Sequence, residues 1–461
     1  MTSRIDPALA AALEAAVGSD NLMTDPADCW TYGYDNSRGQ ALPKAVVLPR
    51  DTAAVQAAVR ACRAAACPLT VRGRGTGTTG AAVPEDGGVV MSMERMDRVL
   101  RIDAPNRVAV VQPGVTNGAL QAAAAGQGFF WPPDPGSAEY CTVGGNLACN
   151  AAGPRALKYG TPRENTLGLE AVTGNGQVIR CGCYTTKGVV GLDLTRLLIG
   201  SEGTLAIITE ATLKLTPLPE RVATVRAAYR DMHAAAAAVS RLMAQPVAPR
   251  VVEFLDGAAL DLLRGRNASD VPAGAGALLM IEADGLASQL PAAVQALHAA
   301  AEGAGLVEWR AAGDPAESAA LWAARKALSP ALRSLAPKKI NEDVVVPVSH
   351  LGELTDRLER LAGAHRVRIV TFGHAGNGNL HVNVLGEEAD LERMQDCVED
   401  VFRAVLELGG TLSGEHGVGR SKRAFVGLEL DADTLAVMHA VKRAFDPDGI
   451  LNPGKTLPDP A

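Results

Sequence analysis

The stretch Val71-Arg-Gly-Arg-Gly-Thr-Gly-Thr-Thr-Gly80 is the starting point for predicting the fold, because its glycines follow a strand predicted over residues 68–71. From Gly75 onward it matches the G-x-G-x-x-G pattern of dinucleotide-binding folds. Those folds require a helix to begin at the loop, yet Pro84 and the glycine pair 87–88 interrupt the following residues. We therefore expect a loop whose consecutive backbone N–H groups and threonine hydroxyls bind an anion.

Two further glycine-rich loops follow between residues 132 and 208. The second loop is Pro132-Pro-Asp-Pro-Gly-Ser-Ala-Glu-Tyr-Cys-Thr-Val-Gly-Gly-Asn-Leu-Ala-Cys-Asn-Ala-Ala-Gly153, and the third is Gly200-Ser-Glu-Gly-Thr-Leu-Ala-Ile-Ile208. One such loop alone is a plain surface turn about as often as it is a binding loop, because short motifs match by chance. Three in one domain indicate a ligand-binding site.

Together the three loops resemble the FAD-binding domain of the vanillyl-alcohol oxidase and p-cresol methylhydroxylase flavoprotein family, over about residues 40–219. The resemblance implies that the first loop holds the pyrophosphate and that the second lines the flavin and its phosphates. The third loop would meet the adenosine end or the ring. The implied FAD contacts are Arg72, Gly73, Arg74, Gly75, Thr76, Gly77, Thr78, Thr79, Gly80, Pro135, Ser137, Thr142, Gly144, Gly145, Asn150, Gly153, Glu202, Gly203 and Ile208.

The position of the histidines bears on how the flavin is attached. Some members of that family bind the flavin covalently through a histidine or a cysteine. All eight histidines of this chain stand at position 233 or later, outside the predicted flavin domain. We therefore expect non-covalent FAD, and Cys141 in the second loop leaves covalent attachment open.

Length, composition and charge describe a folded chain of several domains. The 461 residues suffice for about three domains, and 47% of them are hydrophobic. The net charge of -7 and the lack of a Lys/Arg block argue against nucleic-acid or anionic-membrane partners. Charges among the first twenty residues predict an amphipathic helix, not a signal peptide. No run is apolar enough to span a bilayer. We expect a cytoplasmic protein, with any membrane contact peripheral, at the inner membrane.

The periodicity of the chain changes after Pro219. We predict an FAD-binding domain at 1–219 with its core at about 40–219, a cap or substrate domain at 220–411, and a C-terminal segment at 412–461 that completes the active site. Within the first domain, two closing strands are predicted at 204–208 and 211–215.

The cap domain is predicted to follow the β-α-β-β-α-β order of the split ferredoxin-like fold. The expected fold class is α+β: a two-subdomain FAD-binding domain of the p-cresol methylhydroxylase (PCMH) type, a ferredoxin-like cap, and a C-terminal helical segment that returns to the flavin. The predicted cap elements are strand 222–229, helix 231–244, strands 250–255 and 277–282, helix 289–303 and strand 306–310.

Two more glycine-rich stretches carry three of the eight histidines and a glutamate. They are Phe372-Gly-His-Ala-Gly-Asn-Gly-Asn-Leu-His-Val-Asn383 and Leu412-Ser-Gly-Glu-His-Gly-Val-Gly419. A single histidine is more often a hydrogen-bonded core or turn residue. Imidazole and carboxylate together suit zinc, manganese or iron, and three protein ligands leave positions open for a substrate. The joint pattern predicts a catalytic metal site.

These stretches, with Asp446-Pro-Asp-Gly-Ile-Leu-Asn-Pro-Gly-Lys455, resemble the C-terminal domain of FAD-linked D-2-hydroxyacid dehydrogenases. That group contains D-lactate dehydrogenase, the glycolate oxidase flavin subunit and D-2-hydroxyglutarate dehydrogenase. The resemblance implies a divalent metal, Zn2+ or Mn2+, and a histidine base. The implied residues are His374, His381 and Glu415 as metal ligands, His416 as the base, and Asn452 near the flavin ring.

The same resemblance implies a cation for the substrate carboxylate. Arg325, in Leu321-Trp-Ala-Ala-Arg-Lys326, is the stronger candidate because its planar guanidinium binds carboxylate with two hydrogen bonds. Lys339 is the second, with Lys338 as its alternative, and a surface ion pair is the competing interpretation for either lysine. Asn383 would add a hydrogen bond.

The implied reaction is FAD-dependent oxidation of a D-2-hydroxyacid to the 2-oxoacid, with D-lactate as the first candidate and D-2-hydroxyglutarate or glycolate next. His416 takes the hydroxyl proton while C2 gives a hydride to flavin N5. Two alternatives stay open: a metal-independent flavin alcohol or aldonolactone oxidase, and a flavoprotein subunit of a multi-subunit glycolate oxidase. The expected partners are the small hydroxyacid and an electron acceptor, either a quinone, a cytochrome or an electron-transferring flavoprotein. A homodimer is left open.

Overall fold

The computed structural model describes residues 5–85, 87–265 and 271–460. These residues form two compact units. The first unit comprises the described chain up to Ala152, Gly160–Leu218, and the chain from Glu415 onward. The second unit comprises Gly153–Tyr159 and Pro219–Gly414. None of the helices in the described ranges has the length and apolar character needed to cross a membrane.

The strands are numbered in chain order. They are β1 Leu22–Met23, β2 Ala45–Val47, β3 Leu69–Arg72, β4 Val89–Ser92, β5 Val99–Asp103, β6 Val108–Val111, β7 Phe129–Phe130, β8 Thr166–Thr173, β9 Val178–Gly182, β10 Ala206–Lys214, β11 Thr216–Pro217, β12 Arg221–Tyr229, β13 Val251–Leu255, β14 Ala277–Gly285, β15 Leu306–Ala311, β16 Lys338–Val345, β17 Arg368–His374 and β18 Asn379–Gly386.

The α-helices are numbered in the same way. They are α1 Pro7–Val17, α2 Pro26–Trp30, α3 Thr52–Ala64, α4 Asn117–Ala125, α5 Val143–Cys149, α6 Ala156–Tyr159, α7 Leu194–Leu198, α8 Met232–Ala244, α9 Gly257–Arg264, α10 Leu290–Ala301, α11 Pro315–Ala331, α12 Leu351–His365, α13 Leu391–Glu407, α14 Val426–Glu429 and α15 Ala432–Phe445.

The first unit contains two larger sheets, in the orders β1-β2-β4-β3 and β5-β6-β10-β8-β9, and the pair β11-β7. The strands β2, β4 and β3 are parallel, and the five-stranded sheet is antiparallel. The two predicted closing strands at 204–208 and 211–215 are wrong as separate elements, since they form the single strand β10. The register of β10 against β8 shifts between Ile208 and Glu210. Such a bulge bends a strand without ending it.

The C-terminal segment returns to the first unit beside β3. The N–H of Leu69 donates to the carbonyl of Ile450 at 2.8 Å, and the N–H of Asn452 donates to the carbonyl of Leu69 at 2.8 Å. Residues 450–452 thus add to the free edge of the strand that leads into the first glycine loop. The long-range pairing places Asn452 near that loop.

The second unit is built on one seven-stranded sheet in the order β15-β12-β14-β13-β17-β18-β16. The first four strands, with α8 and α10 as their crossovers, have the predicted ferredoxin-like arrangement. Three strands, β16, β17 and β18, extend the sheet beyond the ferredoxin-like core. The sequence predicted neither these strands nor the helix α9. The helices α9 and α11 cover the sheet face that bears Met280 and Phe372.

The short segment Gly153–Tyr159 groups with the second unit through the carboxylate of Asp284. The hydroxyl of Tyr159 donates to Asp284 at 2.6 Å, and the ammonium of Lys158 donates to the Asp284 carbonyl at 3.0 Å. The Asp284 side chain is fully buried. Because a buried carboxylate needs such partners, this contact ties the segment to β14.

Candidate active site

The first glycine loop, residues 73–80, joins β3 towards β4, and no helix opens in the described residues that follow it before β4. No backbone N–H of residues 74–80 donates to an acceptor in the described ranges. The hydroxyl oxygen of Thr78 is buried without a partner there, and a Cβ added at Gly77 would meet no atom within 4 Å. These donors fit the phosphate-binding loop that the sequence predicts.

Arg72 supports the loop from beneath. Its guanidinium donates to the backbone carbonyls of Tyr34 and Thr31. Gly75 has a φ of +65°, and a Cβ at that position would lie 2.4 Å from the nearest guanidinium nitrogen of Arg72. Burial lowers the pKa of Arg72 from its ordinary value. The structure thus shows Arg72 engaged with backbone carbonyls of residues 31 and 34.

The second loop packs directly against the first. A Cβ at Gly73 would lie 2.4 Å from the hydroxyl of Thr142. Thr142 is the N-cap of α5 and accepts the N–H of Gly145 at 3.1 Å. Gly144 lies close to Pro113, where an added Cβ would approach to 2.6 Å. The Thr142 hydroxyl at Gly73 and Pro113 at Gly144 leave no room for a Cβ, which explains glycine at both positions.

Cys141 lies in the turn that enters α5. The N–H groups of Tyr140 and Cys141 donate to the carbonyl of Ser137, and the N–H of Ala138 donates to that of Pro135. The thiol of Cys141 is buried and accepts a hydrogen bond from an amide at 3.2 Å. Burial raises the pKa of this thiol. A buried, protonated thiol is a weak nucleophile.

Asn150 and Gly153 end the second loop. Asn150 is in the left-handed region, with φ of 54°, and its side-chain oxygen accepts from the hydroxyl of Thr161 at 3.0 Å and the N–H of Arg163 at 3.2 Å. Gly153 belongs to the second unit. The side chain of Asn150 therefore fixes the chain that follows Gly160.

Glu202 joins the third loop to the C-terminal segment. Its buried carboxylate accepts the N–H groups of Val418 and Gly419, the latter at 2.7 Å, and the hydroxyl of Thr456 at 3.2 Å. The side-chain amide of Asn452 donates to the Glu202 carbonyl at 2.7 Å. Burial raises the pKa of Glu202. The side chain of this predicted FAD residue is thus used to hold the turn after His416.

His416 is also held by the first loop, since the hydroxyl of Thr79 donates to its carbonyl at 3.2 Å. Gly203 has a φ of +72° and lies against Val71. The side chain of Ile208 packs in the hydrophobic core of the first unit. The first unit therefore brings the first loop, the third loop, His416 and Asn452 together.

In the second unit, β17 and β18 place His374 and His381 on one sheet face. Phe372 pairs with His381 and His374 pairs with Asn379 in the antiparallel register. The two imidazole rings are 5.3 Å apart between centroids, at 85°. Each histidine is 9% exposed. The pair agrees with the hypothesis that both rings serve one ligand.

Glu253 was not predicted from the sequence. It stands in β13, and its carboxylate accepts from Nδ1 of His374 through Oε1 and from Nε of Arg325 through Oε2, the latter at 2.8 Å. Burial raises the pKa of this carboxyl, but the positive charges of His374 and Arg325 outweigh it, so the net pKa lies below the ordinary value. A charged residue within the apolar run 251–255 was the available signal.

Asp343, in β16, occupies the corresponding place beside His381. Its Oδ1 lies 3.6 Å from Nδ1 of His381, and its carboxylate accepts the amide of Asn379 at 2.6 Å and the N–H of Gly414 at 3.0 Å. Glu415 follows Gly414 in the chain and begins the last segment of the first unit. Asp343 thus holds the backbone that leads to the predicted third ligand.

The predicted substrate residues lie on the same face of this sheet. Arg325 projects from α11, with its guanidinium carbon 4.5 Å from the centroid of the Phe372 ring. The amide of Asn383 donates to the carbonyls of residues 370 and 381, and its oxygen has no donor in the described ranges. Lys339 stands four positions before Asp343 in β16, so the two side chains lie on the same face of the sheet. Lys338 forms an ion pair with Glu388 at 2.5 Å, which is the competing interpretation given above for that lysine.

The donor types fit a divalent metal. Two imidazoles, each beside a buried carboxylate, are the arrangement in which the outer carboxylate fixes the orientation of a ligating ring. The sequence predicted the two histidines and missed both carboxylates.

Two known families match parts of this chain. Residues 218–456 match the family described as FAD linked oxidases, C-terminal domain. Residues 43–182 match the family described as FAD binding domain. The two matches cover the first two glycine loops and both histidine motifs, and the third loop, residues 200–208, lies between them.

Several curated proteins are similar over nearly the whole chain. The glycolate oxidase subunit GlcD of Bacillus subtilis is 38% identical, over 95% of this chain and 94% of that protein. A D-lactate dehydrogenase of Archaeoglobus fulgidus is 35% identical, over 92% of this chain and 95% of that protein. The mitochondrial D-lactate dehydrogenase [cytochrome] of Arabidopsis thaliana is 31% identical, over 95% and 78%.

Solved structures show the same fold at low identity. The p-cresol methylhydroxylase structure superposes with a TM-score of 0.80 at 19% identity, covering 98% of this chain and 96% of that chain. Alkyldihydroxyacetonephosphate synthase gives a TM-score of 0.75 at 20% identity, covering 98% and 87%. The predicted fold class and resemblance are confirmed. The chain belongs to the FAD-linked oxidase family, and the protein is an FAD-dependent oxidoreductase.

Proposed function

We propose that this protein oxidises a D-2-hydroxyacid to the corresponding 2-oxoacid, with D-lactate as the first candidate and D-2-hydroxyglutarate and glycolate as the next. One observation carries the proposal: His374 and His381 share a sheet face with Arg325, and a buried carboxylate stands beside each ring. The names of relatives, glycolate oxidase subunit and D-lactate dehydrogenase, support the same substrate class.

We assign a divalent metal, Zn2+ or Mn2+, to His374, His381 and Glu415. Two imidazoles and one carboxylate suit either ion and leave positions for substrate oxygens. Glu253 accepts from Nδ1 of His374, which leaves Nε2 of that ring as the ligand atom. A divalent ion held by these residues would lower the pKa of the substrate hydroxyl.

We assign the substrate carboxylate to Arg325, with Lys339 as the second cation. The Nε of Arg325 is taken by Glu253, and neither Nη group has an acceptor in the part of the chain that the structure describes. The two Nη groups can bind a carboxylate end-on. The unpaired oxygen of Asn383 accepts a hydrogen bond from a substrate donor.

We assign the base to His416. Its imidazole can take the hydroxyl proton as the hydride leaves C2. Thr79 holds the carbonyl of His416 and Glu202 holds the two N–H groups that follow Gly417, so the turn orients the ring. FAD held by the glycine loops would supply the hydride acceptor. Asn452, fixed through Ala81 and Glu202, is the residue we place next to the flavin.

We expect FAD to be bound without a covalent bond. The first unit's described residues 5–85, 87–152 and 160–218 contain no histidine, and the buried thiol of Cys141 is protonated at neutral pH because burial raises its pKa. Acid precipitation should therefore release the yellow colour into the supernatant. Colour that stays with the pellet would contradict this, and a Cys141→Ser variant would then identify the attachment.

A substrate screen tests the proposed reaction. Purified holoprotein should reduce an artificial dye acceptor with D-lactate, D-2-hydroxyglutarate or glycolate, and D-lactate should give the highest kcat/KM. L-lactate is the matched control, because inversion at C2 directs the C2–H away from the flavin. Failure of every 2-hydroxyacid, with activity on a simple alcohol or aldonolactone instead, would favour the metal-independent alternative.

A second candidate is a flavoprotein subunit of a larger glycolate oxidase, which the names of the GlcD relatives support. That function requires added partner subunits for turnover with the physiological acceptor. The acceptor we expect is a quinone, a cytochrome or an electron-transferring flavoprotein. Single-turnover flavin reduction distinguishes the cases, because it needs no acceptor.

A further inference from the structure

We propose that Glu253 is a positioning residue that couples the metal ligand His374 to the substrate-binding Arg325 through one buried carboxylate. The inference rests on the proposed function, since it concerns the same metal and substrate residues. It adds a residue that does not itself touch metal or substrate. Its two carboxylate oxygens act on two different sites.

The geometry of the sheet places Glu253 at this junction. The register pairs Phe254 with Gly373, which puts Glu253 opposite His374 on the neighbouring strand and on the same face. One carboxylate oxygen accepts from Nδ1 of His374 and the other from Nε of Arg325. The side chain of Glu253 is 1% exposed. Bulk water therefore does not reach this carboxylate, and its hydrogen bonds come from His374 and Arg325.

The first consequence concerns the tautomer of His374. A carboxylate only accepts hydrogen bonds, so Nδ1 of His374 must carry the proton. In the neutral ring the lone pair then lies on Nε2, which is the form that binds a metal.

The second consequence concerns Arg325. Its Nε edge is held by Glu253 and its guanidinium plane by the ring of Phe372 at 4.5 Å. Both restraints fix the direction in which its two Nη groups meet a substrate carboxylate. Because one carboxylate serves both His374 and Arg325, its loss must weaken metal binding and substrate binding together.

The test is the isosteric Glu253→Gln variant in the FAD-loaded protein. The amide oxygen can accept one of the two hydrogen bonds, while the amide NH2 faces the other partner. If the amide NH2 faces His374, it donates to Nδ1 and favours the tautomer of His374 that carries its proton on Nε2. We expect the Kd for Zn2+, measured by competition with a fluorescent chelator, to rise by about 10-fold to 100-fold. At saturating Zn2+, KM for the hydroxyacid should rise more than kcat falls.

Glu282→Gln is the matched control. Glu282 is a buried carboxylate on the same sheet face, and it accepts from the indole N–H of Trp322 at 2.6 Å and the hydroxyl of Thr224 at 3.0 Å. The hydrogen bonds of Glu282 in the described part of the chain involve neither His374 nor His381. Its loss removes a buried charge without touching the metal ligands, so the Zn2+ affinity should match the wild type within about twofold.

The outcomes separate this inference from the proposed function. If the wild-type protein binds no divalent metal, the proposed function fails. If the wild type binds metal and Glu253→Gln binds it equally tightly, the coupling role of Glu253 is overturned. Should the variant not fold, nitrogen-15 NMR of histidine-labelled, metal-free wild type replaces it, with His374 assigned by His374→Gln. A ring protonated on Nδ1 supports the inference, and a ring protonated on Nε2 overturns it.

Discussion

Replacement of His416 by alanine should lower the rate constant of flavin reduction by about a hundredfold to ten-thousandfold, the usual contribution of a general base. FAD and metal contents should stay at the wild-type level, because the proposed ligands of both groups are other residues. The hydrogen bond that holds residue 416, from the side-chain hydroxyl of Thr79 to its carbonyl, does not need the imidazole. Stopped-flow bleaching of the flavin by the best hydroxyacid measures the effect.

His439→Ala is the control for the same experiment. His439 lies on α15 in the first unit and carries no proposed role. Its flavin-reduction rate should equal that of the wild type. A loss of less than about tenfold in His416→Ala, well below the range for a general base, would place the base on another residue.

Removal of the metal should lower activity by at least about a hundredfold, since a Lewis-acid metal supplies several kcal/mol of charge stabilisation. FAD should stay bound after prolonged dialysis against a strong chelator, because the glycine loops and not His374 or His381 supply the proposed flavin contacts. Zn2+ or Mn2+ should restore the rate. Elemental analysis and dye-linked assays on the same samples make the measurement.

Glu415→Gln extends the metal experiment to the third ligand. Loss of one anionic ligand should weaken metal binding, and excess metal should recover part of the activity. Glu407→Gln, on the helix α13, is a control, since that carboxylate pairs with Arg357 on the surface and should leave metal binding unchanged. Full activity at well below one metal per chain would instead make His374 and His381 hydrogen-bonding residues for the substrate.

Local signals in the sequence were sufficient for much of the fold. Pro84 and the glycine pair 87–88 predicted that no helix follows the first loop, because they interrupt a helix there. Apolar residues stand at helical spacing in α3, and the structure buries Val55, Ala58, Val59 and Cys62. The β-α-β-β-α-β order predicted the first four strands of the second sheet. The strands β16, β17 and β18 were missed because their polar site residues and glycines obscure the alternation that marks a strand.

The sequence by itself determined the family, and it predicted the glycine loops and the two histidines as site residues, since each of these depends on residues close together in the chain. The tertiary structure alone decided which groups meet them. Glu253 reaches His374 across 121 positions, and Glu202 reaches Val418 across 216. Such pairs depend on strand register and on the return of the C-terminal segment to β3. Neither leaves a periodic or spaced pattern in one sequence, because the contact forms between strands and loops that only folding brings together.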